Sequence, residues 1–376
     1  MSAGKGKPVF RAEHVGSFVR PDRLLEGARA NKAGAMDDET YKALQDDCIR
    51  EIIAFQDGLG LPTLTDGEFR RRVWSGGVTD ALEGMGVRDT GTLTFKSSEG
   101  DVLTPPSPYA EGRLRRKHPI ATNDYMFLKS LSPRGLPKVT MASPPVLHFF
   151  LGNGSFNAEV YPEPEAYFAE LAGIYRDEIA ELAAAGCTFV QLDDTALPCN
   201  CDRGARQAVH DRGEDPDELT ANYVKVIESA IAERPDNMTA ALHMCRGNLK
   251  GMWMAEGGYE PIADALFNET SIDVYLMEYD TDRAGDFRPL RHLPEGKVAV
   301  LGLISTKTPV LESKDAIKRR IDEATQFAPL ERLAISPQCG FSSGGGRGQM
   351  VTWDDTRRKL ELVVEIAEEV WGDLRA

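Results

Sequence analysis

The chain has 376 residues, 41% of them apolar and 27% charged, an ordinary balance for a folded protein of one large domain or two medium ones. A formal charge of −15, with no long run of Lys or Arg, excludes the basic footprint of a nucleic-acid or membrane-surface binder. No window approaches the ~18 apolar residues of a membrane span, and the polar start MSAGKGKPVF predicts no secretory leader, so the six cysteines are expected to be reduced, in a cytoplasmic protein.

Strand-like runs and amphipathic stretches alternate along the chain. The runs are VFRAEHVGS (9–17), PTLTDGE (62–68), KVTMASP (138–144) and CTFVQLDD (187–194), followed by MTAALHMC (238–245), IDVYLMEYD (272–280), VAVLGLIS (298–305) and RLAISPQCG (332–340). Helices are predicted between them at 37–60, with an acidic first turn and Gly60 at its end, and at 164–186, 215–233, 314–329 and 352–372. Eight apolar runs alternating with helices predict a (β/α)8 TIM barrel occupying residues 1–376 as one catalytic domain. A doubly wound open sheet is the alternative, and the count of eight favours the barrel.

Residues 85–135 are too long for a plain strand-to-helix loop and are read as an inserted β-hairpin and short helix after the second strand, lying over the barrel mouth. The glycine-rich stretch SSGGGRGQ (342–349) is read as a mobile loop after the eighth strand. It lacks the glycine spacing and the following helix start of a phosphate cradle.

Catalytic groups of such barrels sit at the C-terminal strand ends. Those ends carry Ser17, Asp66 and Glu68, Ser143, Asp193 and Asp194, His243 and Cys245, Glu278, and Cys339. His243 and Cys245 are two apart, which is the side-chain period of a strand, so both point the same way. With Glu278 and Cys339 they supply one nitrogen, two sulfurs and one carboxylate at one mouth, a donor set that suits Zn2+. The competing reading makes the thiols buried core residues and Glu278 an ion-pair partner.

The stretches EHVGSFVRP, TDGEFRR, QLDDTALP, HMCRGN, MEYD and SPQCGF resemble the catalytic half of the cobalamin-independent methionine synthase family, in its short single-barrel form, from about residue 11 to 371. The resemblance implies zinc bound by His243, Cys245, Glu278 and Cys339, and homocysteine contacted by Ser17, Glu68 and Asp193. It implies transfer of a methyl group to the homocysteine thiol, giving methionine. Zinc would turn a thiol of pKa about 8.5 into a thiolate, while Glu68 and Asp193 would hold an ammonium group. Capping is the alternative for these two acids.

The extra N-terminal barrel of the full-length enzymes is not expected in this chain. The donor is expected to be a methylated folate or methylcobalamin; where the family carries a His after the seventh strand the chain has Ser305, Thr306 and Lys307, which weighs against the folate and towards methylcobalamin or another methyl or alkyl donor. A second enzymatic reading shares fold and metal but transfers an alkyl group to a thiol such as coenzyme M. Glu68 and Asp193 argue against that sulfonate; Arg70, Arg71 and Arg72 argue for it. A non-enzymatic structural zinc site is disfavoured by the Glu ligand. Cys199 and Cys201 are read as incidental thiols of a loop near solvent. His148 either lines the donor pocket beside Phe149 and Phe150 or is a packed loop histidine, and His118 and His210 are surface residues. Neither nucleic acid nor membrane is an expected partner, and a homo-oligomer is left open.

Overall fold

Twelve strands form among the described residues of the computed structural model, which are 9–89, 94–97, 100, 102–103, 106–342 and 350–375. In chain order they are β1 (Thr63–Leu64), β2 (Leu82–Arg88), β3 (Phe95–Lys96), β4 (Val102–Leu103), β5 (Ser107–Arg116), β6 (Leu136–Pro137), β7 (Val139–Ala142), β8 (Phe189–Asp194), β9 (Thr239–Met244), β10 (Val274–Glu278), β11 (Val298–Ile304) and β12 (Leu333–Pro337). Strands β7 to β12 pair in sequence order as a six-stranded parallel sheet. Every residue of β9 to β12 is buried, as parallel strands covered on both faces must be. One parity of the strands (Phe189, Ala241, Leu276, Val300, Ala334) makes an inner cluster. The other (Val190, Leu242, Met277, Leu301, Ile335) packs outward in the larger cluster that includes apolar residues of the surrounding helices.

The other side of the barrel closes differently. β1 pairs with β6, which continues through Lys138 into β7, and Ala12 forms a single parallel bridge to Ile335 of β12. The runs expected as full strands at 9–17 and 62–68 are therefore corrected to two isolated bridges, at Phe10 and Ala12, and a two-residue strand. Between these two segments side chains take the place of a ladder. Thr65 Oγ1 donates to the Gly16 carbonyl at 2.6 Å, His14 Nε2 lies 3.0 Å from the Thr63 carbonyl, and Gln191 Nε2 donates to the Val15 carbonyl at 2.7 Å. Lys138 Nζ donates to Glu13 Oε2 at 2.7 Å and to the His14 carbonyl, while Thr63 Oγ1 donates to the other oxygen of Glu13. Backbone groups buried away from water need partners, and here side chains provide them.

The insertion is built from an antiparallel β2–β5 hairpin, a short β3–β4 pair and a helix at Thr122–Ser130. Glu178, fully buried on the helix Pro164–Ala184, accepts from the N–H groups of Ile120, Ala121 and Thr122, and from Arg116 of β5. One carboxylate thus ties the hairpin and the start of the inserted helix to the barrel. At the other end of the insertion Lys96 pairs with Trp253 in the loop that follows β9, and Phe95 packs on Gly247 of that loop. The glycine-rich stretch from 343 to 349 lies outside the described residues. The helix at Asp22–Lys32 was not anticipated, its apolar positions being few. No helix among the described residues is long and apolar enough to cross a membrane.

The last helix, Trp353–Trp371, starts in a capping box: Thr352 Oγ1 accepts from the Asp355 N–H at 3.1 Å, and Asp355 Oδ2 accepts from the Thr352 N–H at 2.9 Å. Gly372, at φ 77°, ends it in the left-handed region. Thr352→Ala is expected to lower unfolding stability by about 1 kcal/mol, read from the urea midpoint; an unchanged midpoint would show that tertiary packing alone sets this helix start.

Candidate metal centre

Strand β9 runs apolar until His243 and Cys245, whose side chains share the inner face of the barrel. Cys339 lies two residues beyond β12, on the other side of the sheet's C-terminal edge. The fold brings the three together: their ligand atoms lie within 4.8 Å of one another, and the Cys339 and Cys245 sulfurs are 3.7 Å apart. The Cys339 thiol donates to Cys245, which together with the neighbouring His243 pulls the Cys245 pKa well below its ordinary value against the effect of burial. His243 is 3% exposed, yet neither of its ring nitrogens has a hydrogen-bond partner. A buried imidazole left in that state is costly. Two orphaned nitrogens beside two thiols fit a thiophilic metal ion, for which His243, Cys245 and Cys339 are the natural holders.

Glu278 ends β10 on the same inner face, but its oxygens are engaged elsewhere. Oε2 accepts from the Arg246 N–H at 2.7 Å, and Oε1 from Arg283 Nη2 at 3.1 Å and Lys307 Nζ at 3.3 Å. Burial would raise its pKa; Lys307, Arg246 and Arg283 outweigh that and hold it below the ordinary value. Glu278 therefore does not join the three-residue cluster.

Glu68 and Asp193 are neighbours at the mouth, Glu68 through Thr140 of β7 and Asp193 on the adjoining β8. Glu68 has φ 62°, directly after Gly67 at φ 71°, and its N–H donates to Asp66 Oδ1 at 2.9 Å. A non-glycine residue is uncommon in this region, and here its carboxylate is held by Thr140 and Arg71. Oε1 accepts from Thr140 Oγ1 at 2.9 Å and lies 3.3 Å from Arg71. Asp193, next to last in β8, is level with His243 on β9 and accepts from Gln191 Nε2 at 2.7 Å. Burial, and then the charge of Glu68, push its pKa up to about 7. A bound cation would relieve both effects. Ser17 closes the same side: its Oγ accepts from the Ser342 N–H at 3.3 Å, and its carbonyl from the Phe341 N–H at 2.9 Å, in the loop after Cys339. A side chain at Gly340 would place its Cβ 1.9 Å from Ser17 Oγ, so only glycine permits that approach.

Several residues fall elsewhere than expected. Cys199 is fully buried and Cys201 only 9% exposed, because the short helix Ala196–Cys199 turns inward; neither is a loop thiol near solvent. His148 is buried among Phe156, Tyr167, Phe168 and Tyr223, with Nδ1 2.8 Å from the Tyr223 hydroxyl, and burial takes its pKa down to about 3. It is a packed histidine of the core. Arg70 pairs outward with Asp46 and Asp124, Arg72 is exposed, and only Arg71 turns toward Glu68. Sequence reasoning missed Arg246, whose side chain is fully buried on Tyr259 and the Gly257 carbonyl. The one available signal was a charged residue directly after Cys245. It also missed Arg283 and Asp280.

A family model described as the catalytic domain of cobalamin-independent synthase matches residues 10–369. YxjH, an uncharacterized protein of Bacillus subtilis, is 37% identical over 371 residues, covering 97% of this chain and 96% of its own. The 5-methyltetrahydropteroyltriglutamate–homocysteine methyltransferase of Bacillus licheniformis is 24% identical over 373 residues, which cover 98% of this chain and 44% of that protein. Among solved structures, a protein of Listeria monocytogenes assigned as a vitamin-B12-independent methionine synthase superimposes with a TM-score of 0.73 at 29% identity, covering 98% of this chain and 100% of that one.

Proposed function

We propose that this chain, which belongs to the family of cobalamin-independent synthase catalytic domains and is a methyltransferase, moves a methyl group onto the thiol of homocysteine to give methionine, with Zn2+ held by His243, Cys245 and Cys339. The observation that carries this reading is the meeting of two thiols and an unpartnered imidazole, with a pair of carboxylates beside them, Asp193 being level with His243 on the neighbouring strand. Zinc, when bound, would supply the Lewis acidity that keeps the acceptor thiol ionised at neutral pH. The remaining tasks fall to the chain. Glu68 and Asp193 bind the ammonium group of the acceptor, which offsets the repulsion between them. Ser17 takes its carboxylate through its hydroxyl hydrogen, the Oγ being held in place by the Ser342 N–H. Glu278 fixes the backbone directly after Cys245 through the Arg246 N–H. The methyl donor is a methylated folate, as the name of the Bacillus licheniformis relative has it for that protein, or methylcobalamin. Incubating the zinc-loaded protein with homocysteine and each donor, with methionine followed by mass spectrometry, tests the reaction; zinc-loaded protein that makes no methionine from any donor would overturn it.

The acceptor is tested separately. Losing a charge-assisted hydrogen bond at a buried site costs roughly 1.5–3 kcal/mol. Asp193→Asn is therefore expected to weaken use of homocysteine about ten- to a hundredfold more than use of a simple thiol without an amino group. An equal loss for both acceptors, or a preference of the unmodified protein for coenzyme M, would replace homocysteine with a sulfonate thiol, for which Arg71 beside Glu68 is the available cation.

A further inference from the structure

We infer that Arg20 is a positioning residue that fixes the distance between the Glu68 carboxylate and the Ser17 hydroxyl, and so sets the acceptor site for an α-amino acid. The inference rests on the acceptor proposed above, whose ammonium and carboxylate fall to those two residues.

Loops from three places at the C-terminal strand ends meet at the Arg20 guanidinium. Arg20 itself belongs to the loop that follows the segment from Ala12 to Gly16. Its Nη2 donates to the Glu68 carbonyl at 3.0 Å and to the Arg71 carbonyl at 2.9 Å, in the loop after β1. Its Nη1 donates to Ser342 Oγ at 2.5 Å, in the loop after β12. A guanidinium is a rigid planar fork, so the spacing of its two terminal nitrogens is fixed, and with it the spacing of the two loops they hold.

Each tie acts on a group that faces the acceptor. Glu68, at φ 62° after Gly67 at φ 71°, has a backbone that persists only where its surroundings hold it. The Phe18 N–H donates to the Gly67 carbonyl at 3.2 Å, and Asp66 Oδ1 accepts from the Glu68 N–H at 2.9 Å. With Arg20 on the Glu68 carbonyl, the peptides on both sides of Glu68 are pinned, and its side chain leaves in one direction. At the other loop, Ser342 receives Arg20 at its hydroxyl and donates its own N–H to Ser17 Oγ at 3.3 Å. A Ser342 that moves would therefore release the Ser17 hydroxyl.

An α-amino acid carries its ammonium and its carboxylate on one carbon, at one spacing. A site whose two counter-groups are already held at that spacing loses nothing to rearrangement when both ends bind. A thiol with only one of these groups uses only one loop, and a tie between loops does nothing for it.

The test measures dissociation constants by titration calorimetry on the zinc-loaded full chain. The ligands are homocysteine, its decarboxylated analogue (an aminothiol) and its deaminated analogue (a mercaptobutyrate). Arg20→Lys keeps the positive charge near Glu68 and Asp66, but one ammonium cannot reproduce the fork. It is expected to weaken homocysteine about tenfold, the size of one lost charge-assisted hydrogen bond, and to leave both analogues and the zinc content as they are in the unmodified protein. Unchanged homocysteine binding overturns the inference. So does a loss shared by the aminothiol, which would make Arg20 a support of Glu68 alone, or by the mercaptobutyrate, which would make it a support of Ser17 alone. Should Arg20→Lys not fold, Ser342→Ala cuts the tie to the loop after β12 and keeps the N–H on Ser17. It must then weaken homocysteine selectively, by about threefold or more, and unchanged binding there also overturns the inference. If the unmodified protein binds homocysteine no tighter than the analogues, the acceptor reading and the inference fall together; a preference that Arg20→Lys retains removes the inference alone.

Discussion

Cys339→Ser is expected to remove most of the bound metal and to lower methyl transfer about a thousandfold or more, while leaving the fold intact. Cys339 comes from the loop after β12 and meets Cys245, 94 residues earlier in the chain, at a single sulfur–sulfur contact of 3.7 Å. A serine oxygen at that place is a poor donor for a thiophilic ion, and His243 and Cys245 alone make a weak site. The Lewis acidity lost with the metal is worth several kcal/mol, and about 4 kcal/mol corresponds to a thousandfold in rate. Stability should change little, because Cys339 is half-buried and fills no core cluster. Cys201→Ser is the matching control: Cys201 is buried but stands outside the group, so metal and activity should stay. Zinc content by mass spectrometry, methionine formation and a thermal melt decide the matter. A metal-free Cys339→Ser protein with full activity would remove the metal from the reaction.

The sequence spoke clearly where local periodicity alone decides geometry. A strand puts residues two apart on one side whatever surrounds it, so His243 and Cys245 were readable as a pair. Counting strands then brought Cys339 to the same edge. Strands β7 to β12 were legible because burial on both faces demands unbroken apolar runs. The first two runs misled because long-range side-chain contacts replace their ladders. Nothing local announces that Lys138 will reach Glu13, 125 residues away, or that Gln191 will reach Val15. Charge near a residue misled too. Cys199 and Cys201 were read as thiols of a loop near solvent, yet Asp202 caps the helix Arg203–Asp211 and the thiols turn inward. The type of Glu278 was right for a ligand. Its partners Arg246, Arg283 and Lys307 arrive from three separate stretches, and nothing local announces that meeting.

The same distant contacts set the second large effect, on stability. Lys138→Met is expected to cost about 3–5 kcal/mol, because it leaves the Glu13 carboxylate ionised and unpaired inside the barrel. Both side chains are essentially unexposed, at 0% for Lys138 and 1% for Glu13. Lys138 also donates to the His14 carbonyl, and Glu13 accepts from Thr63, so the pair ties the segment from Ala12 to Gly16 to β1 and to the start of β7, where no strand ladder does so. If the harm comes from the stranded charge, removing that charge should undo part of it. Glu13→Gln leaves an amide that still accepts from the Thr63 hydroxyl and carries no charge to bury. The double variant Glu13→Gln with Lys138→Met should therefore be more stable than Lys138→Met alone, although it carries one more change, and the cycle should show a coupling of about 0.5–3 kcal/mol. Urea unfolding of the four proteins in this cycle, at equal slopes, reads the coupling directly. A double variant as unstable as the sum of its parts would mean that the two residues act independently, and that Thr65, His14 and Gln191 close this side of the barrel without them.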